Sequence, residues 1–283
     1  MRLTLLMLGF ALLLSGVYLV SKRSWLFQQR PDQEITYKSI DGDRLALHVF
    51  KPPGSPGTGA TPVLLFFHGG AWQYGNPNQF FPQCRHFSAL GLTCISAAYR
   101  IASVHGTSPE EALQDARDAI RYIRRNARLL GIDPAKVVAS GGSAGGHLAA
   151  ALGTAVNLPD PGFDPQIPVR PNALVLYNPM LNLAPGMPDH ELVGERWHDV
   201  SPFHHIDDLV PPTLILSGSA DPEVSVSTVN AFCQSVQKRG GVCDAVIYQG
   251  AGHGFFNPEN GQGHHFRLTN EAVTGFLKRL GCL

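Results

Sequence analysis

Lys136-Val137-Val138-Ala139-Ser140-Gly141-Gly142-Ser143-Ala144-Gly145-Gly146-His147-Leu148-Ala149-Ala150-Ala151-Leu152 is the stretch that decides the fold. Its first five residues are β-prone and its last six are helical in composition. Between them stands a G-x-S-x-G pattern, Gly141 to Gly145. A serine on a sharp strand-to-helix turn projects its Oγ above the sheet, and glycines at ±2 let neighbouring backbone pass close by. The helix N-terminus behind it favours negative charge developing nearby. Ser143 therefore reads as a nucleophile.

A serine of this kind needs a base and an orienting acid, sought downstream in the order acid, then histidine. Thr213–Ser217 reads as a buried strand running out into Gly218-Ser219-Ala220-Asp221-Pro222. Ala245–Tyr248 reads as another, followed by Gly250-Ala251-Gly252-His253-Gly254. Asp221 and His253 thus fall on loops past strand ends, where active sites of open α/β sheets lie. Glu223, two positions on, is the alternative acid. A histidine base implies that activity falls on the acid side, near the ordinary imidazole pKa of about 6–7.

Upstream, Val63–Phe67 is an apolar run of strand length that ends in His68-Gly69-Gly70-Ala71-Trp72. Acyl transfer passes through an oxyanion that backbone N–H groups must hold. Gly70 and Ala71 are the expected donors from this loop, and Ala144 N–H the expected donor opposite. His68, Gly69 and Trp72 are placed at the substrate pocket. His68 reads as a structural hydrogen-bonding group rather than a base, and Trp72 as a pocket wall or a core residue.

With these motifs the chain resembles the α/β-hydrolase esterases of the hormone-sensitive-lipase-like group, and within it bacterial acetyl-esterase and feruloyl-esterase-like enzymes. The resemblance covers roughly residues 35–281. It rests on His68–Trp72, Gly141–His147, Asp221-Pro222 and Gly252-His253-Gly254-Phe255. Ala71 departs from the commoner third glycine, which matters little if only its N–H is used. The resemblance implies short acyl esters as substrates, foremost acetyl groups on carbohydrate, and no cofactor. Arylformamidase, feruloyl esterase and peptidase chemistry on the same machinery remain open, as does a catalytically silent, membrane-anchored binding module.

The remaining chain fits an α/β-hydrolase fold: a mostly parallel, eight-stranded sheet with helices on both faces and a small or absent cap. Strands are expected at Thr36–Ile40, Leu45–Phe50, Val63–Phe67, Thr93–Ala98, Val137–Ala139, Ala173–Tyr177, Thr213–Ser217 and Ala245–Tyr248. Ser108, Pro109 and Glu111 predict the start of a helix over Glu110–Leu130, its Arg117, Arg121, Arg124 and Arg125 mostly on the solvated side. A last helix is expected at about Asn270–Leu280. The stretch Met180–His205 is long for a connection and predicts a small lid or pocket wall.

The chain has 283 residues, 44% hydrophobic, 16% charged, with zero formal net charge. That suits one catalytic domain over 35–283 and gives no basic stripe for nucleic acid. Leu3–Val20 is almost wholly apolar between Arg2 and Lys22-Arg23. As a helix it would span about 27 Å, near the hydrocarbon thickness of a bilayer. Residues 1–24 are expected to be a signal anchor or a signal peptide. The anchor is favoured because leucines spoil the small-residue cleavage pattern near Ser15, Gly16 and Ser21. Either reading exports the catalytic domain and so permits disulfides. Cys84/Cys94 and Cys233/Cys243 each lie ten apart across a helix-to-strand unit, and each pair is open between bond and buried thiols. Cys282 is expected to be unpaired. His204-His205 and His264-His265 lack a third ligand placed by motif, so no metal is expected. Oligomeric state is not legible.

Overall fold

A computed structural model describes residues 30–54, 59–154 and 160–283. The expected N-terminal anchor lies outside these residues. Among the described residues no helix is long and apolar enough to cross a membrane.

Eight strands form one sheet: β1 (Gln33–Ile40), β2 (Asp43–Phe50), β3 (Thr61–Phe67), β4 (Thr93–Ala97), β5 (Ile132–Gly142), β6 (Ala173–Tyr177), β7 (Thr213–Gly218) and β8 (Cys243–Tyr248). Their order is β1-β2-β4-β3-β5-β6-β7-β8. β1, β2 and β4 pair antiparallel, and every pairing from β4 through β8 is parallel. Parallel strands are covered on both faces, which is why they read as continuous apolar runs. β3 shows the consequence. Val63, Leu65 and Phe67 belong to one core and Leu64 and Phe66 to the other.

Five longer helices flank the sheet: α1 (Phe81–Ala89), α2 (Pro109–Arg125), α3 (Ala144–Thr154), α4 (Val226–Lys238) and α5 (His264–Arg279). α2 begins as its sequence predicts, with a capping box between Ser108 and Glu111 and Pro109 in the first turn. It does not run to Leu130. Asn126 breaks the helix, its side chain donating to Tyr122 O at 2.9 Å, and a separate turn covers Ala127–Leu130. α5 starts at His264, six residues before the expected Asn270, because Gly263 supplies a left-handed residue at its N-cap.

The arginines of α2 need correction. Arg117 and Arg121 are each only 3% exposed. The chain from Asp160 to Arg170 folds across this side of the helix. Arg121 pairs with Asp118 at 2.9 Å and also with Asp160. Arg124 donates to Pro134 O at 3.1 Å, to Pro168 O and to Asn172. Only Arg125, 58% exposed beside Asp164, fits the solvated reading. Long apolar stems let an arginine be buried when its head is paired, and that partner was remote in sequence. Cys233 and Cys243 form a disulfide between α4 and β8, whereas Cys84 and Cys94 are buried free thiols and Cys282 is also free.

Candidate active site

The end of β5 turns into α3 through Ser143, whose φ is +53°. A left-handed serine is costly, and such strain survives only where surrounding structure enforces it. Here the glycines make room. A Cβ on Gly141 would lie 2.4 Å from Gly145 O, and one on Gly145 would lie 2.1 Å from Phe67 O. Ser143 N–H donates to Tyr177 O at 3.0 Å, and Ser143 O accepts from His147 N at 2.9 Å. Strand β6 and the first turn of α3 thus hold the elbow from both sides.

Asp221 follows β7, with its side chain fully buried. It accepts backbone hydrogen bonds from Glu223 N at 2.9 Å and Val224 N at 3.0 Å. His253 follows β8, and its Nδ1 lies 2.9 Å and 3.1 Å from the two Asp221 oxygens. Burial alone would raise the Asp221 pKa. The His253 hydrogen bond and the two backbone donors outweigh it and hold the carboxyl below the usual range. For His253, burial pulls the pKa down. The Asp221 hydrogen bond outweighs it, helped by the negative charges of Asp221, Glu223 and Asp189, and the net shift is upward.

Ser143 and His253 line one cavity of about 440 Å³ with Gly69, Gly70, Ala71, Asn178, Asp189 and Glu223. Tyr74, Gln79, Gly254, Phe256 and Asn257 complete its wall. Gly69 N–H donates to Gln79 Oε1 at 2.7 Å. Among the described residues no acceptor takes Gly70 N–H or Ala71 N–H. Both therefore stay available to a ligand oxygen in the cavity. Gly70 has φ +121° and Ala71 φ +52°, so the loop tolerates a Cβ at Ala71 in a left-handed conformation. Ala144 opens α3 directly behind Ser143.

His68 and Trp72 do not line this cavity, which corrects their pocket assignment. Both are buried, at 2% and 1% exposure. His68 stacks on Tyr99 with centroids 4.2 Å apart, and its Nδ1 meets Gly69 O at 2.8 Å. Burial holds its pKa down at about 4, despite that backbone contact. Trp72 Nε1 donates to His147 Nδ1 at 3.3 Å, and His147 Nε2 reaches Val200 O at 2.8 Å. This pair ties the loop after β3 to α3 and to the segment after β6. Of the three residues, only Gly69 reaches the pocket.

Sequence reasoning missed Asn178, Asp189, Tyr74, Gln79 and Asn257. Asn178 could have been found, since it directly follows a parallel strand, where functional residues gather. Its φ is +33° and its Oδ1 accepts from Gly254 N at 3.3 Å. Asp189 had no local signal. It comes from Met180–His205, which forms short turns and one-turn helices at His190–Val193 and Trp197–Val200. That segment supplies a cavity wall through Asp189.

Residues 47–170 match the BD-FAE family model, and residues 196–280 match the dienelactone hydrolase family. A thermophilic esterase from the Planctomycetes species Thermogutta terrifontis, solved with propionate bound, is 38% identical. It superposes with a TM-score of 0.85 over 90% of this chain and 96% of that one. Its butyrate-bound structure gives 37% identity and the same score and coverage. The probable carboxylic ester hydrolase LipM of Mycobacterium tuberculosis is 28% identical over 230 residues, 73% of this chain and 52% of LipM. The chain spans about half the length of such curated relatives. The chain belongs to the α/β-hydrolase serine esterases. Within that class it falls in the hormone-sensitive-lipase-like group.

Proposed function

We propose that this protein is a carboxylesterase acting on short acyl esters, foremost acetyl esters and including those carried on carbohydrate. The observation that carries the reading is one arrangement. A left-handed Ser143 shares a cavity with His253, whose far nitrogen is held by the buried Asp221. In the reaction His253 Nε2 takes the Ser143 proton as Oγ attacks the ester carbonyl. Asp221 fixes the tautomer and stabilises the imidazolium. Gly70, Ala71 and Ala144 N–H groups hold the oxyanion. His253 then protonates the leaving alcohol, and water releases the acid from the acyl-serine. The propionate and butyrate bound by the Thermogutta esterase support short acyl chains here. A panel of acetylated sugars, short alkyl esters, feruloyl esters, formyl-anilides and peptides tests the reading. Turnover of peptides or formyl-anilides in preference to short esters would refute it.

The cavity wall adds a charge rule. Among the described residues it carries Asp189 and Glu223 and no lysine or arginine. Its potential opposes anionic esters. For matched acetate and hemisuccinate esters of one alcohol, kcat/KM should favour the acetate by about tenfold or more at low salt. The gap should narrow at high salt. Equal rates at low salt would contradict the rule.

The raised pKa of His253 sets the pH profile. The base must be neutral, so kcat/KM falls as pH drops through the raised value. The acid limb therefore lies above the ordinary 6.5 of a histidine. The sign for stability is opposite: protonated His253 favours the folded state below its unfolded pKa, and that contribution fades as pH rises through the folded one. A limb centred below 6.5 would contradict this electrostatic account.

The apolar segment Leu3–Val20 supports a protein that is exported and held at the membrane. Sequencing the mature N-terminus tests this: a retained Met1 in the membrane fraction is expected. A new N-terminus between residues 16 and 30 would mean a cleaved signal instead.

A further inference from the structure

His253 Nε2 must face Ser143 for the reaction above, yet Glu223 lies on that nitrogen. Glu223 Oε2 is 3.1 Å from Nε2, while Asp221 holds Nδ1 at 2.9 Å. An ionised carboxylate only accepts hydrogen bonds. Two carboxylates, one on each ring nitrogen, are both satisfied only by the imidazolium. Asn178 Nδ2 lies 3.3 Å from the same Nε2. An amide N–H donates, so this contact suits the neutral ring with a lone pair on Nε2. The nitrogen thus stands between one partner suited to the charged ring and one suited to the base.

The turn that fixes the acid also delivers Glu223, because Glu223 N–H donates to Asp221 Oδ1. The Glu223 side chain is 49% exposed, so it has room to swing outward. Asp189, from the segment after β6, is the third negative charge acting on the ring. Among the described residues, Tyr74 and Ser143 bring hydroxyl groups to the cavity wall.

Resting on the esterase reading, we propose that Glu223 is a positioning residue that holds His253 in an ion-paired resting state. An entering ester must turn the Glu223 carboxylate outward before Nε2 can accept the Ser143 proton. Glu223 acts on the reaction through His253 and opposes the base at low pH.

The test uses the full chain with Glu223→Gln, Glu223→Ala and Glu223→Asp. The pH profile of kcat/KM is measured with a small neutral ester. The ratio of acid-limb to alkaline kcat/KM should rise about three- to tenfold in the Gln and Ala variants, with Asp in between. An NMR titration of the His253 ring reads the same release without turnover, and its midpoint should fall in Gln and Ala. Superimposable profiles with an unmoved midpoint would overturn the proposal. So would a uniform loss of activity with the acid limb in place, which would make Glu223 the orienting acid. A wild type that neither turns over esters nor reacts with a fluorophosphonate, with the midpoint still falling in the Gln and Ala variants, would sink the esterase reading and keep the ion pair.

Discussion

Ser143→Ala and His253→Ala are each expected to lower kcat by about 10⁴-fold or more, with the double variant little worse than either single one. The reason lies in how the parts depend on each other. Without Oγ, the base has no proton to take. Without the imidazole, a serine hydroxyl at neutral pH is a poor nucleophile. Residual turnover should come from the oxyanion donors and binding, which neither substitution touches. Ser143→Ala should also abolish labelling by a fluorophosphonate, whereas His253→Ala should slow it. Asp221→Asn is expected to be severe as well, since the buried carboxylate holds the Nδ1–H tautomer at 2.9 Å. Near-wild-type turnover in either single alanine variant would refute the assignment. Additive losses in the double variant would show that the two side chains do not act as a unit.

Gly145→Ala is expected to damage both stability and catalysis. The new Cβ would meet Phe67 O at 2.1 Å and His68 O at 2.4 Å. Both are backbone atoms at the end of β3, so no side chain can rotate away. The strand end must shift, at a cost of about 2–3 kcal/mol by comparison with overpacked cores. Tm should fall by about 5–10 °C. The shifted atoms lead directly into Gly70 and Ala71, so kcat should also fall, by about a hundredfold or more. Gly275→Ala is the control. It lies in α5 with nothing within 4 Å of the added Cβ. That change should leave Tm equal or slightly raised, because alanine costs less helix entropy than glycine. An unchanged Tm and kcat in Gly145→Ala would mean that the close approach of β3 to the elbow is not needed.

The strands were legible because burial on both faces writes itself as apolar runs. All eight appear near their expected places, and Ala173–Tyr177 has the expected bounds. β5 is longer than its apolar part, running from Ile132 to Gly142. Asp133 to Lys136, at its start, carry little strand signal because this part of the strand meets solvent, and Gly141-Gly142, at its buried end, carry little because glycine is depleted in strands. Ser143, Asp221 and His253 could be singled out because each follows a strand, and loops after parallel strands open onto one edge of the sheet. His68 and Trp72 show the limit of that logic. They sit beside Gly70 and Ala71 in sequence, but their side chains turn into the core, toward Tyr99 and His147.

By itself the sequence determined the sheet, the turn at Ser143 and the placing of Asp221 and His253 past strand ends. These depend on local composition and on glycines at fixed offsets. Only the tertiary structure decided what surrounds the histidine. Asp189 arrives from an irregular segment, Asn178 from a strand end, and Gln79 from the turn before α1. The same holds for Arg121 and Arg124 of α2, whose partners Asp160 and Asn172 lie about forty or more positions away. Side-chain charge is a short-range matter of distance and burial, and residues far apart in sequence carry no local mark of becoming neighbours.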